Sequence, residues 1–233
     1  MIPYARRAVA LIAVMMLVMA ARATAIDPPT SIRLEASDAH LYPIGWSHDG
    51  TFAYVLVDEP IFRTGFGFKY EIVDARTDAV LWTHYEHSDT FEWQGAGAPL
   101  AVAWNRNGRE VMEQLDRFGI ELVEDAGLQQ FPLRRGVDEY TAHVSEWRAN
   151  PETTAYRNSV VGYTLALQSR ELGSKVIARR GRIFATSVEV HGYIRSPFEN
   201  RVVLVVSESG NAYGETRFTD YTIIGAHLDV GFE

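Results

Sequence analysis

The chain alternates short apolar and aromatic runs with polar turns, which is the pattern of antiparallel β-strands. The turn GWSHDG at residues 45–50 leads into residues 51–57, where apolar side chains occupy consecutive positions. Such a run predicts a strand that is buried on both faces. Residues 68–74 and 79–86, which are separated by the turn DARTD, predict two further strands. The pattern therefore indicates a meander of three antiparallel strands.

The order of turn, buried strand, Gly-containing loop and Tyr-led strand recurs near the C terminus. Residues 196–206 hold a second turn and buried strand, and Tyr221 leads the last strand as Tyr70 does in the first copy. A recurring order of elements is typical of a repeated supersecondary unit. We therefore expect residues 45–86 and 193–228 to form similar hairpins. Chance patterning is the alternative, because strands and turns draw on few residue types.

One segment between the two copies has helical periodicity. Val111 and Leu115 recur on one helix face, and Gly119 is suited to ending the helix. Residues 107–110 have the spacing of an N-cap and its partner, although the apolar stripe extends back toward Pro99. The sequence therefore predicts one long helix that ends near Gly119.

The middle of the chain adds further strands and completes the fold class. The predicted strands lie at residues 139–147, 159–169, 174–179 and 182–190. The cluster Arg179, Arg180 and Arg182 is interpreted as a solvated hairpin turn between the last two strands, in preference to an anion site. We expect a single, mainly β domain of antiparallel meanders with two similar hairpin units and one long helix, built as a propeller-like fragment or a sandwich.

The N terminus has the pattern of an export signal. Two arginines precede an apolar run at residues 8–20, and the small residues A-T-A end at Ala25. This run is shorter than the roughly 20 residues that span a bilayer. We expect cleavage after residues 1–25, with an uncleaved anchor as the alternative. The mature domain, residues 26–233, is then periplasmic or secreted and has no integral membrane segment.

Charge and cysteine content narrow the classes of partner and stabilisation. The chain has 22 basic and 30 acidic residues, a net charge of −8, and loss of the signal with its three arginines makes it −11. An acidic chain without a Lys/Arg stripe repels phosphate backbones, so we expect no nucleic-acid partner. The absence of cysteine excludes disulfides.

Several turn motifs resemble those of known families. Trp46-Ser47-His48-Asp49-Gly50 resembles the W-S-P-D-G turn of TolB-like β-propeller repeats, with His48 in place of proline. The overall layout resembles an uncharacterised family of bacterial predicted secreted proteins, a domain of unknown function. Trp46 and Thr51 depart from that family's Phe and Arg. The matching motifs are Gly45 to Gly50, Gly65-Phe66-Gly67-Phe68, Val73-Asp74, Gly119-Ile120 and Ser196-Pro197. The resemblance implies a secreted protein and no particular activity.

The densest polar cluster is THYEHSD at residues 83–89. Imidazole and carboxylate groups are metal ligands when they converge, yet on a strand His84 and Glu86 face one side and His87 the other. A solvated strand end is the favoured interpretation, and a metal-dependent hydrolase that uses His84, Glu86 and His87 is the alternative. No cofactor motif is present, so none is expected.

Nucleophilic catalysis has no sequence support. The chain lacks a G-x-S-x-G elbow, and Ser47, His48 and Asp49 are adjacent in a tight turn, where they cannot form a relay. We therefore favour a non-enzymatic binding or interaction protein of the cell envelope or extracellular space.

The predicted binding surface is the connection at residues 58–67, because loops on a rigid β scaffold often carry recognition. The matching loop at residues 207–214 has the same place in the second hairpin. Phe62, Arg63 and Phe66 are the candidate binding residues, an apolar pair with one donor for a carboxylate. The ligand is an unidentified protein or glycan. The competing interpretation is that both phenylalanines pack into the core.

Overall fold

The computed structural model describes residues 32–34, 39–58, 66–88, 98–123, 126–149, 159–212 and 216–233. The predicted signal at residues 1–25 lies outside these ranges, as do Phe62, Arg63 and Asp89. Within the described residues the chain forms thirteen strands in three antiparallel sheets, together with one helix. The predicted mainly β fold of antiparallel meanders with one long helix is confirmed.

Along the chain, sheet A is formed first, sheet C second and sheet B last. In space, sheet B lies between the other two. Sheet A has the order β1-β2-β3-β4-β5, with β6 also paired to β2, sheet B has the order β11-β12-β13, and sheet C has the order β10-β9-β8-β7. The elements of sheet A are β1 (Ile32–Arg33), β2 (His40–Trp46), β3 (Thr51–Asp58), β4 (Phe66–Asp74), β5 (Ala79–Ser88) and β6 (Glu121–Leu122); the helix α1 is Ala98–Arg117. Those of sheet C are β7 (Leu133–Arg135), β8 (Asp138–Arg148), β9 (Val160–Ser169) and β10 (Gly173–Ala185), and those of sheet B are β11 (Ser187–Arg195), β12 (Arg201–Ala212) and β13 (Thr216–His227).

Three hydrophobic clusters stack these elements into four layers. In the first cluster one face of sheet A, including Val55 and Tyr70, packs on α1 through Leu100 and Leu115. The second cluster joins the other face of sheet A to sheet B. The third joins the far face of sheet B to sheet C. The order of layers is therefore helix, sheet A, sheet B, sheet C, and both β3 and β12 are buried on both faces, as predicted for β3.

The two hairpin units share one plan, although the predicted range 45–86 is shifted, because it includes β5 and leaves out most of β2. Unit 1 is β2, β3 and β4, and unit 2 is β11, β12 and β13; in each the strands pair in sequence order and the first strand carries a bulge. The turns also correspond, because a backbone hydrogen bond closes each one: the amide of Ser47 donates to the carbonyl of Thr51 at 2.8 Å, and the amide of Ser196 donates to that of Arg201 at 2.9 Å. Their similarity agrees with the prediction.

The sequence match of Tyr221 with Tyr70 is off by two residues. Tyr70 pairs with Val55 in unit 1, and the equivalent Val205 pairs with Ile223 in unit 2. The paired positions are 15 residues apart in unit 1 and 18 in unit 2, so the second hairpin is three residues longer. A shift of two keeps each side chain on the same face, which is why the pattern match held despite the error.

The helix ends as predicted but begins earlier than its cap signal indicated. Gly119 has a positive φ of 62° just after α1, where a left-handed residue ends the helix. Asn107, predicted as an N-cap, lies in the middle of α1. Its side chain donates instead to Glu86 on β5. The apolar stripe through Leu100 decided the helix start, because it extends the face that packs on sheet A.

Two predicted connections are strand in the structure. The arginine cluster at residues 179–182 is not a hairpin turn, since β10 runs through it with a bulge and pairs Arg179 with Thr164. The predicted loop at residues 207–214 is largely the end of β12, which continues to Ala212. In both places cross-strand pairing overrode glycine as a turn signal, as is common when the neighbouring strand continues.

Candidate functional site

The predicted binding connection contributes no exposed ring among its described residues. Phe66 is 7% exposed and packs in the helix-side core with Phe68 and Tyr70. The competing interpretation, a core phenylalanine, therefore applies to Phe66. Phe62 and Arg63 lie outside the described residues.

The predicted His/Glu cluster on β5 lies against α1. Glu86 accepts a bond from Asn107, and its other oxygen is 3.3 Å from the guanidinium of Arg106. His84 Nδ1 is 3.9 Å from the carboxylate of Glu110. Two of the three candidate metal ligands, His84 and Glu86, thus face partners on the helix. Their first role is to fix α1 on the edge of sheet A.

Aromatic rings surround His84 in the seam between β5 and α1. The His84 ring stacks on Trp82 at an interplanar angle of 11° and meets Tyr70 edge-on at 5.9 Å. Burial, followed by the nearby charge of Glu86, raises the pKa of Tyr70 well above its ordinary value. Tyr70 therefore stays neutral and does not serve as a base in the ordinary pH range.

His87 does not join these groups. The β4–β5 ladder is regular from Tyr70 and His84 to Phe66 and Ser88, so His87 points to the opposite face of the sheet from His84. No group of three His, Cys, Asp or Glu side chains that could hold a metal ion is found among the described residues. The structure thus does not bring His84, Glu86 and His87 to one point.

The turn at residues 46–50 is structural. Ser47 donates its hydroxyl to Asp49 at 2.5 Å, whereas His48 Nε2 is 3.0 Å from Glu121 on β6. The His48 ring lies 3.9 Å from that of Phe198, in the corresponding turn of unit 2. Ser47 and Asp49 therefore bond to each other while His48 contacts other elements, and the two related turns contact each other.

A different surface has the features of a recognition site: the face of sheet C that points away from sheet B. We name it the outer face. Its members follow from the strand registers, which place Trp147 beside Gly162 and Gly181, and Ser145 beside Thr164 and Arg179. The outer face comprises Thr141, His143, Ser145, Trp147, Gly162, Thr164, Ala166, Gln168, Ser174, Val176, Arg179 and Gly181.

Trp147 is the prominent side chain of the outer face, with 46% of its surface exposed. A Cβ placed on Gly162 would lie 2.4 Å from its atom Cε3 and 2.8 Å from Cζ3. The six-membered ring of the indole therefore sits directly over Gly162, where only glycine leaves room. At Gly181, the next strand over, nothing lies within 4 Å of such a Cβ. The indole thus packs on one glycine, Gly162, and lies beside a second, Gly181, whose Cβ position contacts no other atom.

Sheet C is basic in an acidic protein. Residues 131–149 and 159–185 contain eight Lys and Arg but four Asp and Glu, a net charge of +4, whereas the whole chain has −8. Three arginines of the sheet have acidic partners: Arg134 with Glu139, Arg135 with Asp229, and Arg148 with Glu146. Arg179, exposed on the outer face, has no ion-pair partner among the residues that the structure describes.

Sequence reasoning overlooked this surface, although a signal was present. Along β8, Tyr140, Ala142 and Val144 alternate with polar residues, and Trp147 continues the polar side of that alternation. A large aromatic on the polar face of a half-buried strand is the observation that identifies it. The predicted turn at residues 179–181 was wrong. It kept Arg179 from being assigned to a face of the sheet, because the residues of a turn belong to neither face.

Within the described ranges, no helix is both long and apolar enough to cross a bilayer. No protein-family model, curated protein or solved structure matches the chain, so the resemblance to secreted bacterial proteins stays a prediction.

Proposed function

We propose that the protein is an exported, non-enzymatic binding protein that recognises a glycan on the outer face of sheet C. The observation that carries the proposal is the half-exposed indole of Trp147 seated over Gly162. A tryptophan with one face against the protein and one side open offers a flat apolar surface, against which the apolar face of a sugar ring packs.

The neighbours of Trp147 support a sugar in preference to a purely apolar ligand. Ser145 and Thr164 carry hydroxyls that both donate and accept hydrogen bonds, as sugar hydroxyls do, and Gln168 adds an amide further along β9. Because these side chains stand on paired strands of one sheet, their spacing is set before a ligand arrives. Such preorganisation lowers the entropic cost of binding.

The seam between β5 and α1 supports the non-enzymatic part of the proposal. Glu86 is engaged by Arg106 and Asn107, and His84 faces Glu110, so these side chains already have partners within the fold. Export is proposed on the signal pattern of residues 1–25 and on the resemblance to secreted proteins.

Affinity electrophoresis through gels that contain soluble polysaccharides tests glycan recognition. We expect at least one polysaccharide of a panel with neutral and acidic members to retard the protein. Trp147→Ala should then weaken the affinity by about tenfold or more, since truncation of a tryptophan at the centre of a binding site costs roughly 2 kcal/mol. Tryptophan fluorescence should respond to that polysaccharide in the wild type and not in Trp147→Phe.

Tyr85→Ala is the matched control, because Tyr85 is 54% exposed on β5 of sheet A, away from the outer face. It should bind as the wild type does. Far-UV circular dichroism confirms that each variant is folded. The proposal is wrong if no polysaccharide retards the wild type, or if Trp147→Ala keeps full affinity.

A further inference from the structure

We propose that the outer face contains an anion subsite at Arg179, and that the glycan bound there is an acidic oligosaccharide whose carboxylate pairs with the guanidinium. This inference rests on the proposed glycan recognition at Trp147 and adds the charge of the ligand. Arg179 lies on β10, in register with Thr164 of β9 and, through it, with Ser145 of β8.

The charge distribution points to an anionic ligand. Sheet C carries +4, so the rest of the chain carries −12, and the basic residues form the layer at one end of the stack. A concentration of positive charge at one end of an acidic protein attracts an anion to that end. The complementary ligand for this layer is therefore negatively charged.

Arg179 differs from three other arginines of the sheet, which are held in ion pairs. Arg134, Arg135 and Arg148 each have a carboxylate partner within the protein. Arg179 is exposed and has none among the described residues, so no described carboxylate competes with a ligand for its guanidinium. Its planar fork binds a carboxylate through two parallel hydrogen bonds.

The neighbours of Arg179 fit a sugar carboxylate. The hydroxyl-bearing Thr164 lies directly beside it in the ladder, and Ser145 follows in the same row. A uronic acid presents a carboxylate next to ring hydroxyls, so one row of the outer face offers a partner for each group.

The spacing indicates a ligand longer than one sugar ring. Trp147 and Arg179 are two strands apart, about 10 Å at the usual strand spacing, and two residues apart along the strands, about 7 Å. A ligand that stacks on the indole and reaches the guanidinium therefore crosses the sheet diagonally. An oligosaccharide spans this distance, whereas a monosaccharide contacts one end of it.

A single-stranded nucleic acid is the rival occupant, because it also combines stacking bases with anionic phosphates. The overall charge argues against it, since a long polyanion would extend from sheet C over the acidic remainder of the molecule. A short acidic oligosaccharide stays within the basic layer.

The test compares uronic-acid oligosaccharides with their methyl esters, which keep ring and length but remove the charge. Calorimetric titration of the purified mature protein uses oligogalacturonate, oligomannuronate and oligoglucuronate, each with its ester, together with a single-stranded oligonucleotide. We expect at least one acid to bind about tenfold more tightly than its ester, since a hydrogen bond between charged groups contributes about that factor to the affinity. Arg179→Gln should remove the preference and leave the affinity for the ester unchanged.

Arg170→Gln is the control, because Arg170 is exposed in the turn between β9 and β10 and its loss changes the charge of the layer equally. It should keep the preference. Equal binding of acid and ester that depends on Trp147 overturns the anion subsite alone and leaves glycan recognition standing. Binding of neither form overturns the subsite, whereas glycan recognition itself is decided by the polysaccharide panel. A preference that survives Arg179→Gln, or tighter binding of the oligonucleotide, also overturns the subsite.

Discussion

Units 1 and 2 share a turn, a bulged first strand and a buried central strand, yet they have different surroundings. In unit 1, Ala53 faces the helix and Phe52 faces sheet B. In unit 2, the equivalent Val203 faces sheet A and Val202 faces sheet C. Each unit therefore turns the same side toward the helix end of the molecule. When units stack in one orientation, the outward face of the last unit stays apolar and must be buried by a different element.

That last face explains where the candidate site lies. Sheet C covers unit 2 with one face and leaves its outer face open, so the exposed Trp147 belongs to the layer that does not follow the repeat. The repeat itself builds the buried centre of the molecule, where a ligand has no access. A repeated motif in a sequence thus identifies scaffold here, and the non-repeated strands carry the candidate recognition surface.

The stacking also changes individual positions. Ile72 of unit 1 pairs with Ala53 and fills the helix-side core. Its equivalent in unit 2 is Gly225, where an added Cβ would lie 1.9 Å from the carbonyl oxygen of Ala75. The Gly225 amide also donates to Asp78 at 2.7 Å. Unit 2 therefore lies against the turn that follows β4 at this point, and only glycine permits the close approach.

The largest expected effect is that of Gly225→Ala. Since the clash is with backbone atoms of Ala75 and a flexible side chain is not involved, we expect a loss of more than about 4 kcal/mol in the free energy of unfolding. Urea denaturation followed by circular dichroism measures it. Gly181→Ala, where the added Cβ meets open space, should stay within about 1 kcal/mol of the wild type. Equal stability of the two variants would show that the units are not in this contact.

A smaller effect on stability distinguishes the layers that pack on the two central strands, β3 and β12. Val55 and Val205 are equivalent and both 0% exposed, but Val55 faces the helix and Val205 faces sheet A. Each Val→Ala change should cost about 2 kcal/mol, from the lost burial plus a cavity. We expect the larger loss for Val205→Ala, because a cavity between two sheets collapses less easily than one beside a single helix. The same denaturation experiment decides the order, and a larger loss for Val55→Ala contradicts this reasoning.

The smallest effect is a pH dependence confined to unit 1. Hydrogen bonds from Arg76 lower the pKa of Asp74, whose position in unit 2 is held by His227. Because the folded pKa is depressed, this carboxylate stabilises the protein above its unfolded pKa of about 3.9. The stabilisation is lost as the pH falls through the lower folded value.

Urea unfolding of the wild type and Asp74→Asn at several pH values tests this dependence. The stability difference should be on the order of 1 kcal/mol near neutral pH and shrink as the solution is acidified below about pH 4. Asp116→Asn, on the exposed face of α1, serves as the control and should show no such trend. A difference that grows with acid would reverse the assigned direction of the shift.

The sequence determined the local elements and their burial. Consecutive apolar residues predicted that β3 is buried on both faces, and the spacing of Val111 and Leu115 predicted the helix that ends before Gly119. These predictions succeeded because side-chain direction along a strand or helix follows from backbone geometry alone. The export signal at residues 1–25 remains a prediction from the same kind of local pattern.

Which faces meet and which stay open became known from the arrangement of the layers. Asn107 has a cap spacing, but its partner is Glu86 on a distant strand, and Gly181 has a turn signal, but the neighbouring β9 keeps it in a ladder. Trp147 became a candidate site residue through Gly162, which lies under its ring on another strand. Contacts between residues far apart in sequence depend on the order and orientation of the layers, and no local period encodes that order.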